Sequence, residues 1–157
     1  MNKEDIIHLS NELIYQRHLL NREHGKDIFT RISIPEYIAL QHIALEENAN
    51  IYSGRTYLKD LSDKLHMTMR QTSTLVGKLR DAGYVVWSHD GNGSEGTYVT
   101  ITESGQNVQK DQEETLRKFY GKVIENFGKE NLIQLLQLMK QLETIMSSEL
   151  EKMEGDK

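Results

Sequence analysis

Four side chains within five positions, Arg70, Gln71, Ser73 and Thr74, are the residues of this chain best suited to chemistry. All four donate hydrogen bonds, three also accept them, and none is apolar. Carried on one helix, such a set can read base edges in a DNA major groove, where each base pair shows its own pattern of donors and acceptors. Around them stand Arg55, Lys59, Thr68 and Lys78, cations and a hydroxyl of the kind that contact phosphate and fix register. His89 and Asn92, further along, are two more candidate contacts.

These groups need a helix to present them, and the sequence supplies one over 68–82. Thr68 stands where an N-cap belongs. Thr72, Leu75, Val76 and Leu79 recur at helical spacing and define a buried face. Gly83 follows the last apolar turn as a C′ glycine. At about 100° per residue, the opposite side carries Arg70, Thr74, Gly77 and Asp81, flanked by Gln71, Ser73 and Lys78. Gly77 in mid-helix is unfavourable by about 1 kcal/mol relative to alanine. Close approach to a backbone or phosphate explains it as well as tight packing on a neighbouring helix does.

The flanking segments give this helix a context. Tyr57 to Leu65 reads as a preceding helix, with Leu58, Leu61 and Leu65 on one face and His66-Met67 as the turn. Tyr84 to Ser88 is β-branched and aromatic, Asp90 to Gly96 is a glycine-rich loop, and Thr97 to Ile101 alternates again. Strand, glycine loop and strand make a hairpin. A helix-turn-helix running into a hairpin is the layout of a winged helix. Arg55, Thr56 and Tyr57 can add a short third strand beside the wing, and Ser33 to Glu46 forms a scaffold helix. In that helix Pro35 suits the first turn, and Ile38, Leu40, Ile43, Ala44 and Leu45 are expected to be buried.

The run LSDKLHMTMRQTSTLVGKLRDAGYVV, followed by the wing and by YVTITESG from Tyr98 to Gly105, resembles the MarR family of bacterial transcription regulators. The family pattern joins the helix-turn-helix to a Leu-x-x-x-Gly-Tyr/Leu-Val junction, matched here by Leu79, Gly83, Tyr84 and Val85. It opens the following long helix with Leu-Thr-x-x-Gly, matched by Ile101, Thr102 and Gly105. The resemblance covers nearly the whole chain. It implies a mainly α fold with a small β-wing: a winged helix-turn-helix lobe at 33–101, with a helical dimerisation region at 1–32 and 102–157, all within one domain of 1–157. It further implies a homodimeric repressor that binds a pseudo-palindromic operator in double-stranded DNA through helix 68–82 and is released by a small-molecule effector. Relatives often hold anionic aromatics in a crevice between the dimer helices and the winged lobe. Tyr15, His18, Arg22, Tyr37 and Trp87 are the residues here that can line such a crevice for a small aromatic or anionic ligand, though Tyr15 and Tyr37 also suit ordinary core-edge positions.

The wing departs from the pattern. Relatives commonly carry Asp-x-Arg near the wing tip, whereas this chain has Gly93, Ser94 and Glu95. Lysine and arginine are absent from Trp87 to Ile101, and Asp90 and Glu95 are expected to face phosphate, which repels them. Gly91, Gly93 and Gly96 are expected to leave the wing mobile. The acidic wing supports an alternative, a winged-helix protein-interaction module with weakened or lost operator binding.

Charge is unevenly placed along the chain. The net charge is −5, yet residues 55–89 hold six cations against three acids, giving +3 and leaving −8 for the remainder. A basic helix-turn-helix on an acidic body suits a small, specific DNA footprint. The outer segments carry apolar stripes with no sheet to cover: Ile6, Ile7, Leu9, Leu13, Ile14 and Leu20 in the first helix, and Leu116, Phe119, Tyr120, Val123, Ile124 and Phe127 in the long one. The last helix runs from Leu132 to Leu150 in the same style. A second copy or an intramolecular three-helix bundle can bury them, and the family resemblance favours the second copy.

Other functions find little support. Zero cysteines exclude disulfides, thiolate metal sites and a cysteine nucleophile. His8, His18, His24, His42, His66 and His89 are scattered, none pairs with another at i, i+4, and no metal or other cofactor is expected. No nucleophile elbow or phosphate loop appears, so the chain is expected not to be an enzyme. No apolar run is long enough to span a bilayer and no leader precedes the first helix, so a cytoplasmic location is expected.

Overall fold

In a computed structural model of the chain, residues 1–22, 28–49 and 55–156 are described. His24 lies outside them. The elements run α1 (Lys3–Leu20), α2 (Ile34–Ala49), β1 (Thr56–Tyr57), α3 (Leu58–Leu65), α4 (Met69–Asp81), β2 (Val85–His89), β3 (Thr97–Ile101), α5 (Glu103–Phe127) and α6 (Lys129–Gly155). Met1–Thr115 and Leu116–Lys157 form two compact units, taken separately below. Among the described residues no helix is long and apolar enough to cross a membrane.

In the first unit, a helix-turn-helix packs on α2 and continues into a three-stranded antiparallel sheet of order β1-β3-β2. β2 and β3 pair from Val85 with Ile101 to His89 with Thr97, and β1 adds Thr56 opposite Val99. The short third strand expected at 55–57 is therefore present. The core gathers Ala39, Leu40 and Ile43 of α2, Leu58 and Leu61 of α3, Val76 and Leu79 of α4, and Val85, Val99 and Ile101 of the sheet. Val108 of α5 joins the same cluster. Of the α2 residues expected to be buried, Leu40, Ile43 and Ala44 are, Ile38 is half-buried and Leu45 is 58 % exposed, while Ala39 joins the core instead. A capping box opens α2. Glu36 N–H donates to Ser33 Oγ at 3.3 Å and Ser33 N–H donates to Glu36 Oε1 at 2.9 Å, leaving Pro35 in the first turn, where a missing N–H does no harm.

Both helices of the helix-turn-helix end in the same way. At the end of α4, Gly83 N–H donates to Arg80 O and Tyr84 N–H to Leu79 O, each at 2.9 Å, with Gly83 left-handed at φ 84°. This Schellman closure satisfies the last helical carbonyls. At the end of α3, His66 N–H donates to Asp63 O and Met67 N–H to Ser62 O, but the left-handed residue is His66, at φ 52°. Ser62 is buried and its hydroxyl donates to Met67 O at 2.6 Å, which holds the tight turn.

The start of α5 is fastened to the end of α4. Thr102 N–H donates to Tyr84 O at 3.0 Å, and the Thr102 hydroxyl donates to Gly83 O at 2.7 Å while accepting from Gly105 N–H at 3.0 Å. Gly105 is buried, and a Cβ there would collide with the Tyr84 carbonyl and lie 2.8 Å from Ile101 Cγ1. On α1, capped by Asn2, no residue is buried.

The second unit contains the end of α5 and all of α6, separated by Gly128 at φ 98°. No residue of α6 is buried. Phe119 and Tyr120 meet edge-on at 5.0 Å, and Phe119, Val123 and Phe127 line an open groove of about 780 Å³ with Lys118 and Lys122 at its margin.

Replacing Gly105 with alanine is expected to force backbone movement at the Tyr84 carbonyl. Overpacking of this kind costs about 1–3 kcal/mol, so urea or thermal unfolding should show a clear loss of stability. An unchanged midpoint would mean that α5 does not start against Tyr84.

Candidate nucleic-acid interface

Helix α4 is held by its buried side and presents the other. Thr72, Val76 and Leu79 are buried, Leu75 is half-buried, and Arg70, Gln71, Thr74, Lys78 and Asp81 are exposed. Thr68 is the N-cap, as its position suggests: its Oγ1 accepts from Gln71 N–H at 3.1 Å. Gln71 completes a capping box by accepting from Thr68 N–H through Oε1 at 3.0 Å. Its amide oxygen is thus committed to the backbone, and only the amide NH₂ remains to face outward. A glutamine three residues after a threonine N-cap is itself the sequence signal for this, and a reading that weighs only outward polarity misses it.

The cations along the helix differ in their commitments. Arg70 and Lys78 make no ion pair among the described residues. Arg80 lies 3.3 Å from Asp81 and 5.3 Å from the Trp87 ring centroid, so it braces the start of the wing. Thr74 donates to Arg70 O at 3.0 Å and stays exposed. Ser73 is half-buried beside it. Ser33 before α2, Pro35 in its first turn, Met67 of the turn, and Arg70, Thr74 and Lys78 line one shallow depression of about 440 Å³ on this face. Gly77 has no tight neighbour among the described residues. A Cβ there would meet only Arg80 Nη2, at 3.9 Å, so packing on a neighbouring helix within the chain does not explain it.

The wing corrects two expectations. Asp90 does not face outward as a bare charge: it accepts from the Tyr57 hydroxyl at 2.9 Å and from Asn92 N–H at 2.8 Å. The Asn92 N–H, and after it Tyr57, hold its carboxyl below the usual carboxylate range. Glu95 lies 3.9 Å from Lys59 of α3. The glycine loop is also tied shut. Asp90 N–H donates to Gly96 O at 3.0 Å, Gly91 N–H donates to His89 Nδ1 at 2.8 Å, and His89 Nε2 lies 2.6 Å from Gly93 O. With Nδ1 accepting, Nε2 carries the proton and donates. His89 thus spends both nitrogens inside the loop. Gly96 is there because a side chain would strike the Asp90 carboxylate, so it serves close packing and not freedom.

Arg55 and Lys59 reach the wing from the other side. The Arg55 guanidinium lies 4.3 Å from the Tyr98 ring centroid, and Tyr98 in turn lies 5.7 Å from Tyr57. Sequence reasoning missed this aromatic bracket because it joins residues more than forty positions apart.

The residues suggested for a small ligand are not brought together as a set. Tyr15, His18 and Arg22 are exposed, and among the described residues no hydrogen bond, ion pair or ring contact joins them to Tyr37 or Trp87. Tyr37 and Trp87 both pack against the core, Tyr37 with its ring 5.8 Å from Phe29. Burial, and next the nearby Glu113 charge, push the Tyr37 phenol above its ordinary value.

This geometry was compared with known proteins. No protein-family model and no curated relative matches the sequence. Solved structures do match. A MarR family protein from Bacillus stearothermophilus shares 23 % identity at a TM-score of 0.63, covering 94 % of this chain and 99 % of that one. NMB1585, a MarR family regulator from Neisseria meningitidis, shares 18 % at 0.65, covering 97 % and 99 %. This chain has the MarR-like winged-helix fold. NadR, solved in complex with 4-hydroxyphenylacetate, shares the fold at 19 % identity and a TM-score of 0.58, covering 89 % and 90 %. Within this MarR-like lobe α4 is the second helix of the helix-turn-helix and β2-β3 form the wing hairpin.

Two outcomes check the local account. Gly77→Ala should raise the stability of the free protein by about 1 kcal/mol, since none of the described residues obstructs a methyl group; destabilisation would mean that a neighbour packs against this position. For Asp90, a folded pKa held below 3.8 contributes stability above that pH, and the contribution is lost as pH falls through the folded value. Denaturant unfolding should therefore find wild type more stable than Asp90→Ala at neutral pH, with the gap narrowing below pH 3.8. A gap independent of pH would remove the Tyr57–Asn92–Asp90 arrangement.

Proposed function

We propose that the chain is a DNA-binding transcriptional regulator, acting as a homodimeric repressor on a pseudo-palindromic operator. The observation that carries this is the exposed face of α4, where Arg70 and Lys78 stand without ion-pair partners among the described residues on a helix capped by Thr68 and Gln71. An unpaired guanidinium beside hydroxyls is suited to base edges and phosphate oxygens and does nothing for this chain's own stability. In this reading Arg70, Ser73, Thr74 and the Gln71 amide face the major groove. Lys78, Thr68, Arg55 and Lys59 contact phosphate. His89 shapes the wing loop, and Asn92 is its candidate contact. Gly77 then allows close approach of the helix to the sugar-phosphate backbone.

Dimerisation rests on a second observation. Ile6, Ile7, Leu9 and Leu13 of α1, and Leu136, Met139, Ile145 and Met146 of α6, are each more than 40 % exposed. Faces this apolar mark an interaction surface, and a second copy covering them would present two recognition helices to successive turns of one duplex. Release by a small aromatic or anionic effector is part of the proposal. NadR's complex with 4-hydroxyphenylacetate supports it; Tyr15, His18, Arg22, Tyr37 and Trp87 remain the candidate contacts. The alternative of an interaction module without DNA binding drew on an outward-facing acidic wing, and the contacts of Asp90 and Glu95 weaken it.

Fluorescence anisotropy with the DNA upstream of the chain's own gene, at low and moderate salt, tests the reading. Arg70→Ala should relax specificity at one base position per half-site and cost about 1–3 kcal/mol. Lys78→Ala should weaken all sequences alike and reduce the salt slope by about one. Sequence-independent behaviour of wild type at every salt concentration would defeat the proposal.

A further inference from the structure

Sharing no residue with the α4 depression, a cavity of about 190 Å³ is lined by His42 and Glu46 of α2, Arg55 and Thr56 at β1, and Asp60 and Asp63 of α3. His42 and Glu46 are four residues apart on one helix, and Asp60 and Asp63 three apart on another, so each pair shares a face. Thr56 is only 2 % exposed, and its hydroxyl has no hydrogen-bond partner among the described residues. Buried polar atoms are almost always satisfied, and one that is not points to a missing ligand or water. The three carboxylates around it make no hydrogen bond or ion pair among the described residues. Arg55, the one permanent cation of the six, lies with its guanidinium against the Tyr98 ring. The alternation of β1 puts Arg55 and Tyr57 on one face of the strand and Thr56 on the other.

We propose that this cavity binds a small organic cation, a short alkyl diamine in its ammonium form. Each ammonium group donates three hydrogen bonds, and Glu46, Asp60, Asp63 and the Thr56 hydroxyl supply acceptors for them, with the charge the cavity lacks. The volume corresponds to roughly six waters at about 30 Å³ each, room for a four-carbon diamine. A single metal ion fits less well: among the described residues no three histidine, aspartate or glutamate side chains are grouped to share one. The ligand would join α2, β1 and α3, so it would hold the first helix of the helix-turn-helix against its scaffold. That regulatory consequence rests on the DNA-binding reading; the binding itself does not, and it is measured on protein alone.

Isothermal titration calorimetry of the full chain in a low-salt, amine-free buffer tests the site, with putrescine as probe, butanediol as neutral control and magnesium or zinc chloride as metal arms. Saturable putrescine binding is expected, with none of butanediol. Asp60→Asn and Asp63→Asn, both at exposed positions, should each weaken it about tenfold or more, with melting curves like wild type. Thr56→Val should weaken binding without lowering the melting temperature, because it removes an unsatisfied hydroxyl and keeps the shape. The proposal is overturned if putrescine does not saturate, if neither aspartate variant changes its affinity, or if a divalent ion alone shows the dependence on Asp60 and Asp63. If putrescine binds as expected while no operator binding is found, the site stands and the regulator reading falls.

Discussion

The carbonyls of Gly83 and Tyr84 are the point on which the lobe turns. They follow the last turn of α4, where the chain must leave one helix, begin a strand and later receive another helix. Thr102 satisfies both, through its hydroxyl at 2.7 Å and its N–H at 3.0 Å. The same hydroxyl caps α5 by accepting from Gly105 N–H. The end of α4, the wing and the start of α5 are therefore fixed to one another by one threonine. Two glycines make this possible for different reasons, Gly83 by its left-handed backbone and Gly105 by the absence of a side chain. The direction in which Arg70 and Thr74 point is a consequence of that junction.

The wing shows how an acidic loop can be accommodated beside a face that carries unpaired cations. Hydrogen bonds turn the Asp90 charge inward, and Lys59 lies near Glu95. The second contact is solvent-exposed on both sides, so it adds little stability; its effect is on local charge. The free positive charge then lies on α4, with Arg70 and Lys78, and the wing loop contributes a rigid hydrogen-bonded shape. Lys59 and Arg55, engaged with Glu95 and Tyr98, also serve as struts between the first helix of the helix-turn-helix and the hairpin.

Much of the lobe was legible because its signals are local. The Thr68 cap, the Gly83 stop, the leucines of α3 and α4 and the alternation of β2 and β3 all act over a few residues, and each maps to an observed element. What was misread has the opposite character. Leu45 has the right spacing for burial, but α2 is narrower on its core side than its apolar residues suggest. Asp90 and His89 look like free surface groups until Tyr57, thirty-three residues away, and the loop's own backbone claim them. Gln71 reads equally well as a base contact and as the reciprocal half of a capping box, and the backbone geometry places its oxygen on Thr68.

By itself the sequence determined the order of helices and strands, their caps and the polar face of α4, because these follow from backbone sterics and a periodicity of a few residues. Only the tertiary structure decided which of those polar groups stay unpaired, how the wing charges are absorbed, and that Thr56 is buried beside three carboxylates with no partner among the described residues. The reason is physical: pairing and desolvation depend on distances between residues far apart along the chain, and nothing local in the sequence encodes those distances.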